Sequence, residues 1–426
     1  MGGATHQAEQ VLSSVLIQLI VMIAAARLLN TVFRKLGQPG VIGEIVAGLV
    51  LGPSLLGHVF PGLAAALFGA RPPQAITIIS QIGLTLLMFQ IGADFEFSRM
   101  REGRARRAAP LIALVSVAVP FGLGLALGRL SAPALAPTID PIRYSLFLGV
   151  GLAITAVPIL GRILRQYGLT RMELGVVAIS AAALNDVVGW VMLAGVSAYA
   201  GGRFSGGGMA LQVGAILVFG VIAWFGLRPL IGRLIARFPI RDGEVAPNLM
   251  AIIFCVIFAF GVATNRLGIF TIFGGFAAGL LVHSHVVFVE AWRRQVGQMV
   301  LIFFLPVFFT YTGLRTNILG LNSLADLEWL ALILAAAILG KCVPVYLAGR
   351  ISGFDPARSC ILATLMNTRA LMELIVLNIG LDMGFLPQKV FTMLVIMAVL
   401  TTLMAGPLLT VLLPRIGHVA PREVEA

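Results

Sequence analysis

The chain has 426 residues, of which 59% are hydrophobic and 11% charged, with a formal net charge of +12 and a mean hydropathy of +1.00. Soluble domains carry roughly 25% charged residues, so the composition excludes a soluble globular protein and points to one dissolved in lipid. A nucleic-acid surface would gather the basic excess on one face, whereas here it is scattered over short loops between apolar segments.

A bilayer core accepts about 20 apolar residues per helix. Thirteen such segments are predicted, at 11–33, 40–57, 75–95, 108–128, 144–164, 172–199, 209–232, 247–265, 268–284, 295–314, 327–349, 357–380 and 388–413. Nothing between them is long enough for a separate soluble domain, so 1–426 reads as one transmembrane domain. No positive charge precedes the first apolar run, which argues against a cleaved signal peptide. With the amino terminus outside, 19 basic residues fall on the cytoplasmic side and seven on the other. That asymmetry obeys the positive-inside rule and predicts a cytoplasmic carboxyl terminus. The run at Arg99, Arg101, Arg104, Arg106 and Arg107 is read as part of this topology and lipid-headgroup signal.

Polar residues inside the segments are few. Segment two, VIGEIVAGLVLGPS, holds Glu44, and segment three, with LLMFQIGADF, ends near Asp94. Both are expected to pair with Arg27 or to line a funnel, and Gln81 and Gln90 to bond neighbouring helices. Segment five, AITAVPILGRIL, carries Pro158 in mid-span behind Thr155. Proline in a helix interior removes a donor and costs about 3 kcal/mol, so this segment is either kinked or interrupted.

Segment six contains SAAALNDVVGW, where Asp186 is the only charged side chain between Glu173 and Arg203. A charge at the bilayer centre costs about 2.5–3.5 kcal/mol on insertion scales, so it faces a cavity or a partner. Ala178, Ala182 and Asp186 form one i, i+4 ridge, and Ala181, Asn185 and Gly189 the next. Such small residues admit another helix at close range.

The following GGRFSGGG, 201–208, lacks the Lys-Ser/Thr element of a phosphate loop, and no cofactor is expected. His283 and His285, in HSH at a helix end, suit a solvated cap better than a metal site or a pH sensor. Segment twelve, LMNTRALMEL, holds Asn367, Thr368 and Arg369, with Glu373 one turn on. Arg369 and Glu373, four apart, are expected to pair structurally. Cys255, Cys342 and Cys360 lack the spacing of a disulfide framework or metal site and read as core fillers.

The chain also repeats itself. VIGEIVAGLVLGPS matches TIFGGFAAGLLVHS, aligning Gly43 with Gly274, Ala47 with Ala278, Gly48 with Gly279 and Leu49 with Leu280. LLMFQIGADF against VFFTYTGLRTN aligns Gly92 with Gly313, and LAITAVPIL against LMNTRALMEL aligns Thr155 with Thr368. Partners lie seven segments apart, an odd number, so the second copy enters the membrane inverted. Repeats of about 11–200 and 247–413, joined by a linker helix at 209–232, are the expectation. Inverted repeats mark transporters, with the substrate site near the midplane where helices are interrupted. A simple kink at Pro158 remains open, but its pairing with the polar 367–369 stretch favours two breaks.

TAVPILGRIL, ELGVVAISAAALNDVVGW, FFLPVFFTYTGLRTNI and LMNTRALMELIVLNIGLDMG together resemble the monovalent cation:proton antiporters. The branch is that of bacterial potassium efflux antiporters and plant cation/proton exchangers, and the resemblance spans roughly 11–413. It implies an all-α sodium/proton-antiporter-like fold of about thirteen spans with two broken, crossing helices. It also implies a homodimer in the bacterial inner membrane, and a transporter rather than an enzyme. By the same resemblance Asp186 is the ion- and proton-binding carboxylate, holding the transported alkali cation. Asn185 stands where electrogenic relatives have a second aspartate, Thr155 and Ala156 lie where the first broken helix unwinds, and Lys341, in ILGKCVPV, faces the site. Thr368, Arg369 and Glu373 support it. Potassium efflux relatives often continue into a nucleotide-binding domain, and no such soluble regulatory domain is expected in this chain.

A single carboxylate can hold a proton or a dehydrated cation in turn, which predicts exchange of one proton per sodium or potassium ion. A sodium-coupled organic-anion symporter is the alternative, and a channel or membrane sensor the third reading.

Overall fold

The computed structural model describes residues 2–69, 74–94, 105–155, 157–170, 172–200, 206–238, 240, 243–267, 270–369 and 371–418. Among these residues the regular structure is helical, without strands. The first helices are α1 (Gly2–Lys35), α2 (Gly40–Leu51), α3 (Leu56–Val59), α4 (Pro61–Phe68), α5 (Gln74–Ala93), α6 (Ala105–Leu135), α7 (Pro141–Ala153), α8 (Val157–Gln166), α9 (Glu173–Ala200) and α10 (Gly206–Val221). They are followed by α11 (Arg228–Arg237), α12 (Pro247–Arg266), α13 (Thr271–Val282), α14 (Val286–Trp292), α15 (Leu305–Leu314), α16 (Leu324–Ile351), α17 (Pro356–Met366), α18 (Leu371–Asp382), α19 (Gln388–Leu403) and α20 (Ala405–Leu412). A π-helical stretch, Ile222–Leu227, carries α10 into α11, so helix runs without interruption from Gly206 to Arg237.

Among the described residues ten helices are long and apolar enough to cross a membrane, fewer than the thirteen expected. Each of the ten coincides with a predicted segment. The other three are too short or divided: 144–164 is split into α7 and α8, 357–380 into α17 and α18, and 268–284 holds the 12 residues of α13. Hydropathy sees the apolar run and is blind to the backbone break within it. Arg106 and Arg107 open α6, while Arg99, Arg101 and Arg104 lie outside the described residues, as does 201–205 of the glycine-rich stretch. The cysteines are free; Cys255 is exposed and the others half-buried, so they are not core fillers.

The chain forms two compact units: Met1–Ile23, Leu67–Glu96 and Ser197–Tyr311 in the first; Ala24–Ala66, Phe97–Val196 and Thr312–Ala426 in the second. Close glycine contacts organise each. In the first unit, a Cβ on Gly275 or Gly279 of α13 would stand 2.2 Å from the Thr85 carbonyl oxygen or 2.1 Å from that of Phe89, both on α5. One on Gly274 would stand 2.3 Å from the Phe260 carbonyl on α12. Only glycine lets three backbones approach so closely, as small residues do at helix interfaces in lipid.

In the second unit Gly43 of α2 lies as near the Leu29 carbonyl of α1, and Gly313 of α15 meets Gly48 of α2, with 2.5 Å from its would-be Cβ to the Gly48 Cα. These are the positions that the internal match aligns. Gly43 packs on its preceding helix as Gly274 does, and the Gly313–Gly48 contact parallels that of Gly92 with Gly279. In the second unit α7 packs on α6 at Gly124 and Gly149, α6 on α16, and α16 on α17.

Candidate functional site

Two interrupted helices meet in the second unit. Asp140 caps α7 by accepting the Ile142 and Arg143 N–H groups, and Pro141 occupies its first turn. The helix stops at Ala153, Ile154 is extended (φ −71°, ψ 144°), and helix resumes at Val157. Pro158 therefore sits in the first turn of α8, where a missing backbone donor costs nothing. The kinked alternative is replaced by a true break. Ala156 lies outside the described residues. The second break follows Met366: Asn367, Thr368 and Arg369 are non-helical before α18 begins at Leu371.

Carbonyls freed at membrane depth must find donors within the protein. Two buried cations supply them at the end of α7. Lys341 Nζ, from α16, donates to the Ala153 and Ile154 carbonyls at 2.7 and 2.9 Å. Arg369 donates to the Gly151 carbonyl on α7 and the Ala337 carbonyl on α16, each at 3.2 Å. Positive charge at a helix carboxyl end is also favoured by the macrodipole. In the opposite sense, the Thr155 hydroxyl donates to the Met366 carbonyl at 3.4 Å. Each break is thus held by a residue from the other. Thr368 bonds the Leu365 carbonyl at 2.7 Å and closes the end of α17.

Helix α9 places Asn185 and Asp186 against the first break. Asn185 Oδ1 accepts the Thr155 N–H at 3.3 Å, and its Nδ2 lies 3.0 Å from Ser116 Oγ and 3.2 Å from Thr155 Oγ1. Its ridge partner Gly189 faces Ile154, and Ala178, Ala181 and Ala182 are fully buried. Asn185 therefore holds the unwound strand in place.

Asp186 is 3% exposed, and no side chain donates a hydrogen bond to either carboxylate oxygen among the described residues. The Lys341 ammonium acts on it by charge, and the Val157 backbone N–H at the start of α8 acts on it as a donor. Lys341 spends its bonds on carbonyls instead of closing an ion pair with Asp186. With the neighbouring carbonyls engaged by Lys341 and Arg369, the Asp186 carboxylate supplies the oxygen ligands that hard cations prefer.

Other predicted residues fall elsewhere. Arg369 and Glu373 approach to 3.8 Å, both fully buried, without a hydrogen bond between them, so the expected i, i+4 pair is loose. Glu44 accepts from Asn30 at 2.6 Å, and Asp94 pairs with Arg293 at 2.6 Å. His283 Nδ1 lies 2.7 Å from the Leu280 carbonyl and so carries the proton, capping the end of α13. His285 titrates below its ordinary value because of burial, with Arg228 and His283 adding to the effect. No cluster of His, Cys, Asp and Glu suited to a metal occurs among the described residues. Sequence reasoning missed Ser116 on α6 and Thr402 on α19, which accepts the Arg369 N–H at 3.2 Å. A lone hydroxyl in an apolar span was the available signal for Ser116.

A family profile described as "Sodium/hydrogen exchanger, transmembrane" matches residues 19–415. The chain is similar to "Na(+)/H(+) antiporter NhaS4" of Synechocystis, 33% identical over 95% of this chain and 98% of that one. It is also similar to "Cation/H(+) antiporter 18" of Arabidopsis thaliana, 33% identical over 92% of this chain; there it spans about half of the relative's length, 48%. The structure of the sodium proton antiporter MjNhaP1 from Methanocaldococcus jannaschii matches with a TM-score of 0.61 at 16% identity, over 93% of this chain and 97% of that one, so the two share a fold. The chain belongs to the sodium/hydrogen exchanger family of transmembrane proteins.

Proposed function

We propose that this protein is a secondary antiporter that exchanges a monovalent cation, sodium or potassium, for a proton, one for one, with Asp186 as the shared site. The observation that carries the reading is the Asp186 carboxylate: buried beside the first helix break, with no side chain hydrogen-bonded to either oxygen among the described residues. A bare buried carboxylate is costly, and a proton or a bound cation relieves that cost. Both ligands neutralise the same charge, so each displaces the other.

An unloaded site keeps its charge and resists being carried through the low-dielectric barrier, whereas a site neutralised by either ligand crosses. Competition then becomes exchange. Asn185 and Thr155 shape the unwound segment beside the carboxylate, with Lys341, Arg369 and Thr368 fixing the helix ends around it.

The names of the relatives support cation/proton exchange, and no observation favours an organic-anion symporter. We further place the chain as a homodimer in a bacterial inner membrane, amino terminus outside, with its transmembrane domain built from inverted repeats of about 11–200 and 247–413. Purified protein in proteoliposomes with an internal pH dye tests the function. Adding sodium or potassium to one side should dissipate a preset pH difference, saturably in cation. A response equal to that of empty vesicles defeats the reading.

A further inference from the structure

Four buried ionisable side chains of the second unit lie within electrostatic reach of one another: Asp186, Lys341, Arg369 and Glu373. Lys341 lies within electrostatic reach of both carboxylates. The expected pairing by charge is not made through hydrogen bonds. Lys341 and Arg369 donate to the carbonyls of Ala153, Ile154, Gly151 and Ala337. Glu373, fully buried on α18, has no hydrogen-bond partner at either carboxylate oxygen among the described residues, and the Arg369 guanidinium stands 3.8 Å away. A structural ion pair at this depth closes its hydrogen bonds, because a carboxylate without them pays the full desolvation penalty. Like Asp186, Glu373 is a buried carboxyl group to which no side chain donates a hydrogen bond among the described residues.

Other charged or titratable groups on the elements packed against α18 are engaged elsewhere. On α7, Arg143 lies over the Phe385 ring and Tyr144 bonds Ser131. Lys389 on α19 bonds Asp326 at the far end of α16, and Arg315, beyond α15, bonds Asp382 and Asn378. Cys342, beside Lys341 on α16, lies near the Cys360 thiol and the Arg369 charge. Lys341 and Arg369 are therefore the charges that face Glu373.

We propose that Glu373 is a second proton-binding carboxyl group of the transport site, whose ionisation sets how tightly Asp186 holds the cation. The inference rests on Asp186 being the cation site. With both acids ionised, two negative charges balance Lys341 and Arg369, and an arriving alkali cation leaves a local excess of one positive charge. With Glu373 protonated the same cation leaves an excess of two, in a low-dielectric surrounding where like charges repel strongly. Acid therefore weakens cation binding twice, once by competition at Asp186 and once through Glu373. The Glu373 proton returns to the side it came from, so exchange stays one for one.

The test compares wild type, Glu373→Gln, Glu373→Asp and Asp186→Asn in proteoliposomes, reading the apparent KM for sodium and potassium between about pH 6 and about pH 9, on either side of neutrality. Glu373→Gln, permanently neutral, should raise KM about tenfold at the alkaline end, the size expected for one unit charge removed at close range. It should converge on wild type at the acid end, so its KM rises less steeply on acidification. Glu373→Asp should keep the steep dependence, displaced along the pH axis. A Glu373→Gln curve that superimposes on wild type, or one identical to that of Glu373→Asp, overturns the proposal. Where Glu373→Gln fails to accumulate, an unshifted Glu373→Asp curve overturns it instead. Exchange retained by Asp186→Asn removes the cation site itself, an outcome separate from either Glu373 result.

Discussion

At the residue scale, Asp186 was legible because it stands alone: one carboxylate in a span of apolar and small residues has no role in packing. Its surroundings were not legible. Ser116 lies 69 positions from Asn185 and Thr155 lies 30 away, and no spacing in the sequence reveals such bonds. Lys341 was placed facing the site by resemblance, but its hold on the two carbonyls at the end of α7 was not legible. Replacing it by Met leaves both carbonyls unsatisfied, each costing about 1–3 kcal/mol. Lys341→Met should therefore lower the thermal midpoint in detergent as well as exchange; an unchanged midpoint contradicts the carbonyl role.

His285 gives a pH prediction outside the spans. Burial, with Arg228 and His283, lowers its folded-state titration below the ordinary value, so the fold holds it neutral. Its contribution to stability is complete above its unfolded titration point and is lost as pH falls through the lowered folded value. His285→Gln should flatten the fall of the thermal midpoint below about pH 6.5. An undiminished fall shows that His285 is not its source.

At the element scale, the first break announced itself through Pro158, but proline alone does not distinguish a kink from an interruption. What decides is that the helix restarts at Val157, putting the proline where it is tolerated. The second break has no proline. It showed only as Asn367, Thr368 and Arg369 at matching depth, and as an alignment of Thr368 with Thr155. Thr155 ties one break to the other, so Thr155→Val, which keeps the shape and removes the hydroxyl, should destabilise the protein by about 1–3 kcal/mol. It should also raise the apparent KM for the cation, and a variant with wild-type KM and midpoint breaks that link. The glycine contacts predict a sharper effect. A Cβ on Gly279 meets backbone at 2.1 Å from the Phe89 carbonyl oxygen, which no rotamer change relieves. Gly279→Leu should abolish a cooperative thermal transition, whereas the exposed-helix control Gly220→Leu, with open space around it, should not.

At the scale of the whole molecule, the glycine pattern was the most informative part of the sequence. Gly43, Gly48 and Gly92 and their matches Gly274, Gly279 and Gly313 all turn out to be close-approach sites, and the helices carrying them make parallel contacts in the two units. Which helices fall in which unit was not legible in the sequence, because each unit draws helices from both halves. One-for-one exchange moves no net charge, so an imposed membrane potential should leave the rate unchanged. Were a full charge moved, 100 mV supplies about 2.3 kcal/mol, roughly fifty-fold in rate.

Proton flux driven by lithium, sodium, potassium and rubidium gradients, in proteoliposomes of wild type and of Asp186→Asn at matched protein density, tests the shared carboxylate most directly. Wild type should respond to at least one of the four ions, and Asp186→Asn to none of them above the empty-vesicle leak. Cation-dependent flux at the wild-type rate in Asp186→Asn contradicts alternate occupation of this acid by proton and metal ion.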